Sequence, residues 1–565
     1  MTTMMSRARD GNSPAGPEVG WRACPGCGRL CYVPQLARDR FVCASCGHHF
    51  RLGARDRIAT LVDGTSFTEI RADDAVVVRD PLGFTDVRPY ADRLDEAVGN
   101  SGEDEAVVAG TAELAGCRLV IVAMDFRYLG GSMGVGVGER VTVAAEMALD
   151  HRLPLVIVCA SGGARMQEGV LSLLQMAKTA QALARLHDEG VPSFCVLTDP
   201  TFGGVSASFA MLGGIVLAEQ GALVGFAGPR VIAQTIREDT PDGFQTSEFL
   251  FGHGLVDRVV ERGELRSLLG RLLALHGPNA PTMSEQPIVA EPTAAADAWD
   301  VVQTARDVDR PTALDYLNNS FDDFVELHGD RAHGDDPALV AAVARIGGRS
   351  VVVVGHQKGH DTRELVARNF GMAHPEGYRK ARRMFEYAER HGFPVVTLVD
   401  TAGAFPGVEA ERRGQSTAIA ELIQRSSRLR VPVVSVVTGE GGSGGALAMA
   451  TGDRLLMLEH SFYSVISPEG CAAILWHTSD RASDAARALR ITAGDLLSLG
   501  VADGVVPEPE GGAQTDPATA AVNLRRAVVS ALDDLDGVEP DALVEARYER
   551  FRRIGTSLTP ERFVG

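Results

Sequence analysis

Hydrophobic positions in this chain come in short, unbroken runs rather than in alternation. LPLVIVCA (153–160) and VPVVSVVT (431–438) are two such runs, led by Pro154 and Pro432. A strand with one wet face alternates apolar and polar residues. A parallel strand covered on both faces reads as a continuous apolar run. Each run leads into a glycine-bearing segment and then a helical stretch; LLQMAKTAQAL (173–183) is one of these. The pattern predicts parallel β/α units, and hence an α/β fold.

The units repeat. Pro154-Leu-Val-Ile-Val-Cys-Ala-Ser-Gly-Gly-Ala matches Pro394-Val-Val-Thr-Leu-Val-Asp-Thr-Ala-Gly-Ala at an offset of 240 residues. The same offset relates Pro192 to Pro432, Thr198 to Thr438 and Gly204 to Gly444. Between the copies lies GPNAPTMSEQPIVAEPTAAADA, with four prolines and little that could anchor a core, which reads as a linker. The expected organisation is a disordered tail (1–20), a small cysteine-rich unit (21–50), one α/β domain (51–277), the linker (278–298) and a second α/β domain (299–565).

The cysteine-rich unit carries Cys24-x2-Cys27 and, fifteen residues on, Cys43-x2-Cys46. Two such knuckles turn four thiolates toward one tetrahedral Zn2+, one ion per chain, with no open coordination position. The ion is therefore structural. A piece of about thirty residues has little core, and metal binding can contribute roughly 10–16 kcal/mol to its folding. Cys31, His48 and His49 stand outside the pattern. From Trp21 to Thr60 seven arginines face two aspartates, so this unit is basic inside a chain of formal charge −19. That balance suits a phosphate-bearing ligand, or nucleic acid as a secondary one, and excludes coating of nucleic acid as the main task. No apolar run reaches membrane-spanning length and no secretory signal opens the chain, so the expected compartment is the cytoplasm.

GEGGSGGALAM (439–449) contains a literal G-x-S-x-G, the turn that presents a nucleophilic serine in many hydrolases. The repeat argues against a nucleophile at Ser443, because its counterpart in the first copy is Gly203. His477 and Asp453 follow Ser443, but no spacing pairs them with it. What both copies share is a Gly-Ala turn after one strand and a glycine pair opening a helix after the next. Backbone N–H groups at a helix start are unpaired donors, and glycine lets a ligand oxygen approach them. Two such turns face to face make an oxyanion hole. The predicted holes are Gly163-Ala164 with Gly203-Gly204, and Gly403-Ala404 with Gly444-Gly445.

These turns resemble those of the crotonase (ClpP/crotonase) fold. The cysteine unit with LGGSMGVGVGER, ASGGARMQE, LTDPTFGGVSASFAMLG and FAGPRVI resembles the β subunit of the bacterial acetyl-CoA carboxylase carboxyltransferase. ELHGDRAHGDDPALV, VGHQKGHDT, RNFGMAHPEGYRKA, DTAGAFPGVEAERRGQS and YSVISPEGCAAILW resemble its α subunit. The chain thus reads as a β–α fusion, departing from the family at the linker and at Gln514, where α subunits commonly carry histidine. The resemblance implies two tandem crotonase-like domains behind a zinc ribbon. It implies transfer of a carboxyl group from carboxybiotin to acetyl-CoA, giving malonyl-CoA for fatty acid synthesis. The acyl-CoA would bind on the N-terminal half and biotin on the C-terminal half, in a site between an α-type and a β-type domain. Arg165 and Lys358 are the candidate ligand-binding cations; for each, a structural ion pair is the other reading. No phosphate-binding G-x-x-x-x-G-K-[ST] and no Met-Lys-Met attachment site is present, so biotin would arrive on a separate biotin carboxyl carrier protein charged by a biotin carboxylase. A homodimer is expected. The competing readings are a carboxyltransferase for propionyl-CoA or another short acyl-CoA, a zinc-ribbon nucleic-acid regulator, and a hydrolase using Ser443.

Overall fold

A computed structural model describes residues 20–70, 78–228, 232, 235, 240–279 and 297–555. Residues 1–19 of the expected tail (1–20) and 280–296 of the expected linker (278–298) lie outside the described residues, as does part of FAGPRVI. Two compact units are present. The first holds residues up to Phe249 and Val259–Gly270, and the second holds Leu250–Arg258 and Arg271 onward.

The first unit opens with a hairpin, β1 (Trp21–Ala23) against β2 (Leu30–Tyr32), and a small core of Cys24, Leu36, Cys43 and Phe50. An eight-stranded sheet follows. Its main path runs β10 (Arg258–Val260), β8 (Ile215–Glu219), β7 (Ser193–Phe202), β6 (Leu155–Ser161), β5 (Cys117–Met124), β4 (Val107–Leu114) and β3 (Thr68–Glu69). The eighth strand, β9 (Val224–Gly225), pairs with the far end of β7. Strands β5 to β8 are parallel, and the β4–β5 hairpin is antiparallel. Every residue of β6 is buried, which accounts for its unbroken apolar run.

The second unit repeats this plan. Its sheet runs β11 (Asp323–Glu326), β12 (Leu339–Ile346), β13 (Arg349–His356), β14 (Val395–Thr401), β15 (Val433–Gly442), β16 (Arg454–Leu458) and β18 (Gly504–Val506), with β17 (Phe462–Ser464) on the end of β15. Here too an antiparallel hairpin, β12–β13, leads into parallel strands. The chain is therefore a tandem α/β protein of two crotonase-like units. Residues 250–258 and 271–277, assigned to the N-terminal domain on sequence, pack within the second unit. Specific pairings hold them there. The buried carboxylate of Asp257 meets Arg331 and Arg383, Arg271 meets Asp323, and the His276 ring meets Tyr387.

In both units the ladder slips at one point. Cys159 pairs with Leu197 and Ser161 with Thr201; Val399 pairs with Val437 and Thr401 with Gly441. The third parallel strand thus carries two extra residues just before its helix. The slip pushes the end of that strand beyond its neighbour and aims both turns into one corner. No helix among the described residues is long and apolar enough to cross a membrane.

Candidate active site

In each unit the Gly-Ala turn and the start of the next helix touch. A Cβ on Gly203 would lie 2.9 Å from Gly163 Cα, and one on Gly445 would lie 2.6 Å from the Ala404 nitrogen. The backbones approach this closely because these residues lack side chains. The eight predicted residues therefore form two corners, one per unit.

Their donors are not equivalent. The Gly163 N–H donates to Ser161 Oγ at 3.0 Å, and the Gly403 N–H to Thr401 Oγ1 at 3.1 Å. The Gly203 N–H donates to the Phe226 carbonyl at 3.0 Å. These three amides hold the corner's shape. Ala164 and Ala404 N–H make no hydrogen bond among the described residues, and Gly204, Gly444 and Gly445 sit in first helical turns, whose N–H groups have no intrahelical partner. Each corner thus offers an alanine amide opposite helix-start amides, the donor pair that an oxyanion needs. Ser161 and Thr401 were not singled out from sequence. They stand two residues before Gly163 and Gly403 and obey the 240-residue offset inside the matched stretch, where a hydroxyl recurring in both copies was the signal that could have found them.

Ser443 opens the second unit's helix with φ +54°, and Gly203 opens the first with φ +59°. Asp453 is committed elsewhere: its carboxylate accepts from Arg547 Nε at 2.9 Å and Nη2 at 2.7 Å, and from the Val433 amide. His477 caps the end of helix Pro468–Trp476. No couple that could activate Ser443 is assembled from these residues.

Arg165 is 1% exposed and lies under the first corner. Its guanidinium donates to Glu105 at 2.6 and 3.0 Å, to Glu168 at 3.2 Å and to the Ser132 carbonyl at 2.7 Å. Burial disfavours its charge, but Glu105, then Tyr90 and Glu168, more than restore it. Glu168 also accepts from Tyr90 Oη at 2.7 Å and from the Val135 amide at 2.6 Å. The network ties the 163–168 segment to the start of helix Val135–Asp150, and the ion pair that is one of the two readings of Arg165 is present. Lys358, its side chain 16% exposed, lies two residues past the end of β13, beside Asp400 at 2.8 Å and Glu440 at 3.5 Å. It too has carboxylate partners within the protein.

In the cysteine unit the sulfurs of Cys24 and Cys46 are 3.6 Å apart and those of Cys27 and Cys43 are 3.8 Å apart; all four lie within 4.8 Å of one another. A tetrahedron with Zn–S bonds of about 2.3 Å has edges of about 3.8 Å, so the donor set fits one zinc ion. Cys31 Sγ stands 3.9 Å from Cys43 Sγ, beside the four and not among them. Sequence did not foretell how this unit is held to its sheet. Arg262 donates to the Phe50, Phe41 and Arg40 carbonyls, and its other edge grips Glu219 at 2.7 and 2.9 Å. Burial would push the Glu219 carboxyl up; Arg57, Arg262 and His49 together hold it well below the usual range. Three of the seven arginines counted on sequence, Arg51, Arg55 and Arg57, are paired with Asp199, Glu103 and Glu219.

Two crotonase-like sheets, each ending in a glycine corner, define a tandem α/β protein of the crotonase-like class. Comparison with known proteins narrows the class to a family. Residues 285–555 match the family described as acetyl co-enzyme A carboxylase carboxyltransferase-like. The acetyl-coenzyme A carboxylase carboxyl transferase subunits beta/alpha of Saccharopolyspora erythraea is 57% identical over 97% of both chains, and that of Salinispora arenicola is 56% identical over 96% of this chain and 98% of its own. A transcarboxylase 12S structure shares the fold, with a TM-score of 0.69 at 24% identity over 89% of this chain and 95% of its own. The chain belongs to the family of fused β/α acetyl-CoA carboxylase carboxyltransferases, biotin-dependent carboxyl transferases.

Proposed function

We propose that this protein carries the carboxyl group of carboxybiotin to acetyl-CoA, forming malonyl-CoA for fatty acid synthesis. The observation that carries the reading is the repetition of the free alanine amide opposite a helix start, once per unit. The reaction builds negative charge on two oxygens, the thioester oxygen as the methyl carbon becomes nucleophilic and the ureido oxygen of biotin as CO2 leaves. One corner per oxygen matches the duplication. Each donor lost from such a corner costs about 10²–10³ in rate. The N-terminal corner, with Ala164 and Gly204, takes the thioester; the C-terminal corner, with Ala404 and Gly444-Gly445, takes biotin. The ureido nitrogen freed by the departing CO2 accepts the methyl proton, so these residues need supply only dipoles and position.

The four cysteines hold a structural zinc in this reading. Biotin arrives on a biotin carboxyl carrier protein charged by a biotin carboxylase, in the cytoplasm. The protein works as a homodimer, supported by Met166, Val170, Leu173 and Leu174, which expose 55–82% of their surface along one side of the segment after the first corner.

Purified protein given malonyl-CoA and free biotin should form acetyl-CoA and carboxybiotin. Absence of turnover with free biotin and with the biotinylated carrier, in zinc-loaded protein that melts cooperatively, would refute the assignment. Sedimentation of the same sample tests the dimer.

A further inference from the structure

The two copies close the same sheet slip with different chemistry. In the first unit the slipped strand carries Pro200, which has no N–H, and the facing position on β6 is Ala160. In the second unit the equivalent residue is Glu440. Its N–H is buried and must find an acceptor, and the residue facing it is Asp400. Asp400 Oδ1 accepts from Glu440 N at 2.9 Å. Gly439 makes room, since a Cβ there would fall 2.6 Å from that oxygen.

A carboxylate at this point raises a difficulty. It stands one residue before Thr401 and four before Ala404, in a corner meant for an oxyanion. Lys358 Nζ, 2.8 Å from Asp400 and 3.5 Å from Glu440, offsets it. Arg306 holds the rest of Glu440 at 2.8 Å and Glu469 at 2.6 Å. Burial disfavours the Lys358 ammonium, and Asp400 followed by Glu440 more than reverses that.

We propose that Asp400 is a positioning residue for the second corner: clipped to the Glu440 amide and neutralised by Lys358, it sets the spacing between the Ala404 amide and the Gly444-Gly445 helix start. It does for the biotin side what Ala160 and Pro200 do without charge in the first unit. Lys358 then acts through Asp400 and not on a ligand. A displacement of about 1 Å in such a corner can cost about 10²-fold in rate.

The inference rests on the carboxyl-transfer reading, and the wild-type protein in the same assay tests that reading separately. Transfer from malonyl-CoA to free biotin is followed in wild type, D400A, D400N and G439A. D400A should lower kcat about 10²-fold with the KM for malonyl-CoA within about twofold of wild type. G439A, which drives a methyl into the carboxylate, should behave alike. D400N keeps an acceptor for the Glu440 amide and should recover at least about tenfold over D400A. In D400N no carboxylate remains at 400 for Lys358 to neutralise, so the fall of kcat at high pH that follows deprotonation of Lys358 in wild type should be weakened. A D400A kcat within about threefold of wild type overturns the proposal. So does a malonyl-CoA KM that rises in step with the lost kcat, and so does a D400N pH profile superimposed on wild type. Should D400A not fold, D400N alone decides, and failure of both to fold leaves Asp400 a scaffold residue and the proposal wrong.

Discussion

Ser443 takes in the second unit the left-handed backbone that Gly203 takes in the first, φ +54° against +59°. A residue with a Cβ is strained there by roughly 1–2 kcal/mol. Since the other copy meets the same requirement with glycine, the backbone shape is what the corner requires and the hydroxyl is incidental. S443G should therefore keep carboxyl transfer within about threefold and leave stability unchanged or higher. S443V, β-branched at positive φ, should lose stability by more than about 1 kcal/mol. Parallel kcat and thermal melts check both. Abolished turnover in S443G would restore the nucleophile reading.

Neighbouring glycines in that helix start should respond oppositely. A methyl on Gly445 would sit 2.6 Å from the Ala404 nitrogen, on top of the amide assigned as donor, whereas nothing lies within 4 Å of a methyl on Gly444. G445A should lower kcat about 10²–10³-fold, the cost of one lost donor. G444A retains its own N–H and should stay within about tenfold. Equal losses in the two variants would mean that Ala404 is not the donor.

Much of this was legible in the sequence. Continuous apolar runs betrayed strands buried on both faces, the 240-residue offset betrayed two domains, and the cysteine spacing named four thiols that lie within reach of one ion. These are local signals, or local signals repeated. The remainder depends on partners far away along the chain. Arg165 meets Glu105 sixty residues upstream, Arg262 spans from the cysteine unit to Glu219, and Lys358 meets Asp400. A cation beside a glycine turn looks the same on paper whether it faces ligand or carboxylate. Free amides were hidden for a different reason: Ser161 and Thr401 use their hydroxyls to remove Gly163 and Gly403 from the donor list, a contact of two residues' span that depends on rotamer.

Zinc analysis should return one ion per chain. C43S removes a ligand from the inside of the cluster, where Cys43 is 1% exposed and packs with Leu36 and Phe50. The variant should lose its zinc and melt the cysteine unit, because that small core cannot fold without metal. The sheets have their own buried cores, so circular dichroism should fall by only a small fraction. C31S should retain full zinc content, its sulfur standing outside the four. Zinc loss in C31S would enlarge the ligand set.

Acidification should loosen the second unit before it protonates ordinary carboxylates. His356 is buried at the end of β13, with Asp400 and Lys358 as its nearest charges, and burial pushes its pKa down to about 4; burial does the same to His276. In the unfolded chain both titrate near 6.5, so between pH 6.5 and 4 the unfolded state binds more protons and stability falls as pH falls. His460 works in the opposite window: its hydrogen bond to Glu508 raises its pKa, giving stability that is present below 6.5 and lost as pH rises through the raised value. Burial disfavours the Glu508 carboxylate, but His460 and Arg310 hold its pKa at about 2, so its own contribution persists until far lower pH. The urea midpoint should drop by a clear margin between pH 7 and pH 5. H356N, which cannot take up the proton, should flatten that slope while leaving the basic side unchanged. An H356N slope equal to that of wild type would show that residue 356 takes up no proton on unfolding in this range.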